Sequence, residues 1–305
     1  AMHQTSSALS RQGHASESSK VDYQALALAF ASGHDRLALA ILLRLSFDES
    51  LAGNTGAGDR LGRVAEAYAE SGSVEQGMAL SNRGVAALVD GELDGASVSF
   101  NRAYALMETN LGPDDGRLEV VLTNQGAVAE RQGDFRRAHE HFEEARRVVA
   151  EAYGAEHPSA LKLEMAKANT IQNLEALEPA LGVRLKLERA VVETWGDGPP
   201  ALRFRLKLGR LLRLTGRTDA AIASLESLLD LARAQSDLVD FEANARLSLS
   251  MALLDRGDTE RGVDQGEQAL SQCEGRTGWD QCPESERAAL AGRLAIERGD
   301  TEAAV

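Results

Sequence analysis

The sequence predicts an all-α fold, an α-solenoid of antiparallel helix hairpins stacked one on the next. Three observations predict it. The first is a repeat. Residues 72–154 carry one pattern twice, as Leu80, Asn82, Gly84, Gly91, Ala96, Phe100, Ala103 and Gly112, then as Leu122, Asn124, Gly126, Gly133, Ala138, Phe142, Ala145 and Gly154, and every landmark moves by 42 residues. A fixed period of this size marks a stacked array. The second is a recurring glycine turn with an acid close behind, at Gly33, Gly91, Gly133, Gly216, Gly257 and Gly299, with gaps of 58, 42, 83, 41 and 42. The third is composition. Aromatics make up only 4% of the chain, and no run of alternating β-branched residues argues for strands.

The spacing within one copy reads as a hairpin. Leu80 and Gly84 are four apart and share a helix face, and the bare Gly84 lets a neighbouring helix approach. Gly91 ends that helix and permits the turn. Ala96, Phe100 and Ala103 then form one stripe of a second helix, with small and large residues alternating where the two cross. An Asp or Thr after the turn glycine caps the helix that follows.

Taken in order, Ala1-Met2 reads as a cloning scar and residues 3–20, polar and Ser-rich, as a disordered linker. A single solenoid is expected over 21–305. Its first hairpin covers 21–48, and an extra helix over 59–71 carries Leu61, Val64, Ala65 and Tyr68 on one face. Hairpins follow at 74–111, 116–153, 158–196, 199–235 and 238–273, with a partial one at 283–305. The gap of 83 requires a worn turn near Asn173 to Pro179, and Gly196, 42 residues after Gly154, supports it. A solenoid ending in mid-hairpin leaves an apolar face uncapped. That points to a fragment of a longer chain or to a face that closes on something else. A homo-oligomer joined through that face, or through Leu26, Leu28 and Phe30, is one way to cover it.

The Leu-Gly and Ala-x-x-x-Phe landmarks resemble the tetratricopeptide repeat (TPR). The 42-residue form, with the link Gly154-Ala-Glu-His157-Pro158 and its weaker counterpart at Gly112-Pro113, resembles the kinesin-light-chain type. The resemblance implies a right-handed superhelix whose first helices line a concave groove that binds a peptide or protein. It implies that Asn82 and Asn124 face that groove and bond a ligand's main chain, since an amide both donates and accepts. The alternative is that both asparagines bond adjacent helices. The segments Gly33–Ala38, Ala65–Tyr68 and Leu80–Gly84 also resemble the C-terminal repeat regions of bacterial serine/threonine kinases of the myxobacterial kind. No kinase motif stands in the chain itself.

A second binding feature is read from the residues. Arg203, Lys207, Arg210 and Arg213, followed by Arg217, hold one helix face. Residues 161–217 contain 11 Lys or Arg against 6 Asp or Glu in a chain of net charge −14. Such a stripe attracts an acidic partner, or pairs with acids of the next repeat. The overall negative charge argues against general nucleic-acid binding. No stretch of 18 or more apolar residues is present to cross a membrane.

Chemistry finds no constellation, and neither a cofactor nor a metal is implied. The loop 53–58 is glycine-rich, but no Lys-Ser/Thr follows it, so the phosphate-loop logic fails. His139 and His141 are two apart on a helix and point to different faces. His157 suits local turn bonding. Glu140, Glu143 and Glu144 pair naturally with Arg146 and Arg147 as solvated ions. Cys273 and Cys282 are either two free thiols, compatible with a cytoplasmic location, or a disulfide closing the loop between them, which implies a periplasmic or other oxidising compartment. The function expected is a non-catalytic interaction module, a scaffold or sensor. The alternative is the regulatory arm of a larger bacterial signalling enzyme such as a kinase.

Overall fold

The computed structural model describes residues 15–174, 176–234, 239–274 and 284–299. Among them are fourteen α-helices and one short 3-10 turn, with no strand. They form two compact units that divide between Thr170 and Ile171, where the sequence suggests one array over 21–305. In the first unit lie α1 (Ala15–Ala31), α2 (Asp35–Leu51), α3 (Thr55–Tyr68), α4 (Val74–Asp90), α5 (Leu93–Leu111), the 3-10 turn (Gly116–Leu118), α6 (Glu119–Arg131) and α7 (Phe135–Tyr153). Helix α8 (Pro158–Asn173) runs through the division. The second unit holds α9 (Leu177–Trp195), α10 (Pro199–Leu214), α11 (Thr218–Arg233), α12 (Val239–Arg256), α13 (Thr259–Cys273) and α14 (Glu284–Glu297).

Local chemistry sets the helix ends. Ser73 caps α4 by accepting from the Gln76 amide, while the Gln76 side chain accepts from the Gly72 amide, close to a reciprocal capping box. Asp134 caps α7 by accepting from the Arg137 amide. Between them, Gly91 at φ 81° ends α4 in the left-handed region that a side chain disfavours.

The hairpins cross at one recurring pair, 16 residues apart. A Cβ on Gly84 would lie 2.7 Å from Phe100, one on Gly126 would lie 2.5 Å from Phe142, and one on Gly209 would lie 2.7 Å from Leu225. The same spacing recurs as Ser46–Gly62 and Ser250–Gly266, where small meets small. There the serine hydroxyls donate to the Gly58 and Gly262 carbonyls at 2.7 and 2.6 Å.

This register reassigns the first repeat. The α1–α2 hairpin exists, but the pair built on the repeating crossing is α2–α3, so the helix that read as an extra stretch is the partner of α2. The sequence hid this because Gly62 stands where the next copies carry Phe. Helix α1 also starts at Ala15, so residues 15–20 are helical rather than linker. That stretch has no Gly or Pro, and a helix propagates backward from its apolar part at little cost.

Within the first unit α4 touches both α2 and α6 along one layer, and the 3-10 turn packs against α5, α6 and α7. This touching layer is termed the inner layer. In the second unit α10, α12 and α14 form the touching layer. The apolar interior of the first unit forms two clusters, one with Leu42 and Leu45 and one with Leu80, Phe100, Leu122 and Phe142, all buried.

Candidate functional site

An open groove of about 930 Å³ lies on the inner layer of the first unit. Helix α2 contributes Asp35, Arg36, Leu39, Ala40, Leu43, Arg44 and Phe47. Steps of four place Asp35, Leu39, Leu43 and Phe47 on one face. Helix α4 contributes Glu75, Met78 and Asn82, and Tyr68 and Glu70 close one end. The floor is apolar, from Leu39, Leu43, Phe47 and Met78. A second face of α2, with Ile41, Leu42 and Leu45, is buried in the core. Leu43 is itself buried in that core and Leu39 packs against it, so the accessible apolar lining is chiefly the half-buried Leu39 and Phe47 and the exposed Met78.

The two ends differ in chemistry. At the first, the Tyr68 hydroxyl donates to Asp35 Oδ1 at 2.5 Å, and this bond holds the phenol above its usual pKa. Phe30 packs edge-on against the Tyr68 ring with centroids 5.6 Å apart. Both rings stay largely exposed, at 43% and 40%. At the second end, Asn82 Nδ2 donates to the Leu43 carbonyl at 2.6 Å. Arg44 pairs with Asp22, whose side chain is shut off from water. Burial pulls the Arg44 guanidinium below its ordinary pKa and pushes the nearby Asp48 carboxyl up.

Of the residues singled out in the sequence, Asn82 lines the groove and bonds the neighbouring helix at once. Asn124 is half-buried on α6, outside the groove lining. The basic stripe on α10 serves its own unit. Arg210 donates to Ser248 Oγ at 2.8 Å and Asn244 Oδ1 at 3.2 Å on α12, and pairs with Glu286 of α14 at 2.7 Å. Arg213 pairs with Asp255 at 2.8 Å, and Arg217 with Glu178 at 2.7 Å. Arg203 lies 6.0 Å from the Phe241 ring centre, and Lys207 is exposed.

The histidines divide as their spacing suggests. His139 Nδ1 lies 3.0 Å from Thr170 Oγ1, while half-buried His141 is held below its ordinary pKa by burial and then by Arg137. His157 Nδ1 accepts from the Ser159 amide at 3.2 Å. Among the described residues no cluster of His, Cys, Asp and Glu could hold a metal ion, and no helix is long and apolar enough to cross a membrane. Cys273 is buried at the end of α13, and Cys282 lies outside the described residues.

The model of the tetratricopeptide repeat family matches residues 75–151. No curated protein sequence matches the chain. Among solved structures it is similar to the apo form of RapI, at TM-score 0.74 and 9% identity over 99% of this chain and 82% of that one. It is similar to kinesin-light-chain TPR-like repeats of Podosopora anserina, at TM-score 0.55 and 17% identity over 65% of this chain and 97% of that one. It is also similar to a Rap protein complexed with Competence and Sporulation Factor, at TM-score 0.60 and 14% identity over 87% and 73%. These identities speak for the fold, a helical solenoid of stacked hairpins, and the family match assigns tetratricopeptide repeats to residues 75–151.

Proposed function

We propose that the protein is a non-catalytic interaction module that holds a peptide or an extended protein segment in the groove between α2 and α4. One observation carries the reading: an open groove between α2 and α4 sets apolar Leu39, Phe47 and Met78 beside placed polar groups, Asp35, Glu70 and Glu75 toward one end and Arg44 and Asn82 further along. Ligand sites of proteins have this form, apolar lining with a few placed polar groups. One structure of similar fold, the Rap complex, contains Competence and Sporulation Factor as a bound partner. The chain would act as a scaffold or sensor, alone or as the arm of a larger signalling protein.

An acidic partner on α10 is the weaker reading, because such a ligand must displace Ser248, Asn244 and Glu286 from Arg210. The test is a selection of displayed random twelve-residue peptides on the full chain, repeated on Met78→Asp. Met78 is 42% exposed, so the substitution alters the groove and leaves the fold. Clones lost on the variant support the groove. Clones that all bind both forms equally would sink it.

A further inference from the structure

The two ends of the groove are unlike, and the difference selects a ligand. Arg44, at the inner end, is already neutralised by Asp22. The outer end carries Asp35, Glu70 and Glu75 against the single cation Arg36 among its lining residues. Asp35 holds the Tyr68 hydroxyl, which fixes the ring at the rim, and Phe30 braces that ring from the side. Glu70 and Glu75 are both exposed.

Carboxylates beside partly exposed aromatic rings are what an ammonium or guanidinium seeks: opposite charge, and a π system. Behind them Leu39, Phe47 and Met78 offer apolar contact, beside an Asn82 already bonded to the Leu43 carbonyl. The net charge of −14 adds a field that steers cations toward the chain. An acidic segment would meet like charge at the rim and no available cation inside.

Resting on the groove reading above, we propose that the occupant is a peptide segment that sets a Lys or Arg side chain at Glu70, Glu75 and Tyr68 and an apolar side chain on the floor behind them. The rim then supplies register and on-rate and the floor supplies residence time, the division expected when charge lies at an edge and apolar surface inside.

The probes are the peptides selected from the random twelve-residue library on the full chain, resynthesised and titrated by calorimetry against that chain. Those that Met78→Asp abolishes are then titrated against Glu70→Lys/Glu75→Lys and against the milder Glu70→Gln/Glu75→Gln. We expect Lys or Arg in nearly all of them, with an apolar residue close by. Affinity should fall about tenfold or more on the charge reversal and less on the neutral pair, and should weaken between 50 and 500 mM salt, as rim charge requires. Circular dichroism melts establish that both variants stay folded, and if the reversal does not, the neutral pair decides. Groove-dependent peptides that are acidic or uncharged, or that bind both double variants as tightly as the parent, would overturn the cation assignment and leave the groove standing. Peptides indifferent to Met78→Asp would overturn both.

Discussion

In the first unit a groove opens over the layer where α2 and α4 touch. In the second unit Arg210 spans from α10 over α12 to Glu286 of α14. Both units use the same hairpin, with crossings 16 residues apart, so the backbone design does not account for the difference. The side chains on the touching faces do. Helix α2 sends Leu39, Leu43 and Phe47 toward the gap, and α4 answers with the short amide of Asn82. Helix α10 instead carries long arginines, and α12 meets them with Asn244, Ser248 and Asp255. A stripe of cations in a solenoid is thus first a candidate for joining its own neighbours. An apolar stripe without a counterpart is a candidate for a partner from outside.

The largest expected effect breaks the floor support of the open unit. Arg44→Ala leaves the Asp22 carboxylate buried without its guanidinium. Removing one partner of a buried pair costs about 3 kcal/mol. Chemical denaturation reads that loss, and hydrogen exchange should place the lost protection in α1 and α2 while α10 to α13 stay protected. Next comes the crossing itself. Gly126→Leu would drive new carbon into Phe142, already 2.5 Å from a bare Cβ, and overpacking of this kind costs about 2 kcal/mol. If exchange rose equally in both units, the division at Thr170 would have no energetic meaning.

A smaller effect sharpens the other side of the comparison. Arg210→Ala removes three partners from one guanidinium and should cost about 1.5 kcal/mol, the low end for hydrogen bonds to a charged group. Its exchange signature should fall on α12 and α14. Arg203→Ala, on the same stripe but exposed, should stay within about 0.5 kcal/mol, as surface changes do. Equal losses for the two arginines would mean that the stripe is not a tie between helices.

How far these units were legible in the sequence follows from what periodicity can see. The pairs Gly84–Phe100 and Gly126–Phe142 repeat in both residue type and spacing, so the hairpins of α4 to α7 stand out. Ser46–Gly62 and Ser250–Gly266 do the same work with two small residues, and only the separation of 16 betrays them. By that spacing Arg184, fully buried at 0% exposure, stands where Phe142 and Leu225 stand in their hairpins, and burial lowers its pKa to about 10. The glycine pattern says nothing of such a residue. Asn82 was visible as a landmark of the repeat. A bond to an adjacent helix stood among its two readings, but the acceptor, the Leu43 carbonyl, was not legible, because that bond joins residues 39 apart whose approach depends on how hairpins stack.

The smallest effect concerns the solvated pairs of α7 and α8, which lie outside the groove. Glu143 accepts from Arg146 and pairs with Lys167, and these cations, the Arg146 bond first, pull its carboxyl down to about 2 from an ordinary 4.5. A depressed carboxylate contributes stability above its unfolded pKa and loses it as pH falls through the folded one. Glu143 is 44% exposed, so solvent screening holds the contribution to about 0.5 kcal/mol. Glu143→Gln should therefore melt slightly lower than the parent at pH 7, and the gap should close between pH 4.5 and 2. A gap that persisted at pH 2 would assign the loss to helix packing rather than charge. Since the pair lies away from the rim carboxylates, the substitution should leave peptide capture at pH 7 unchanged, which separates the charge that holds the stack together from the charge that faces a ligand.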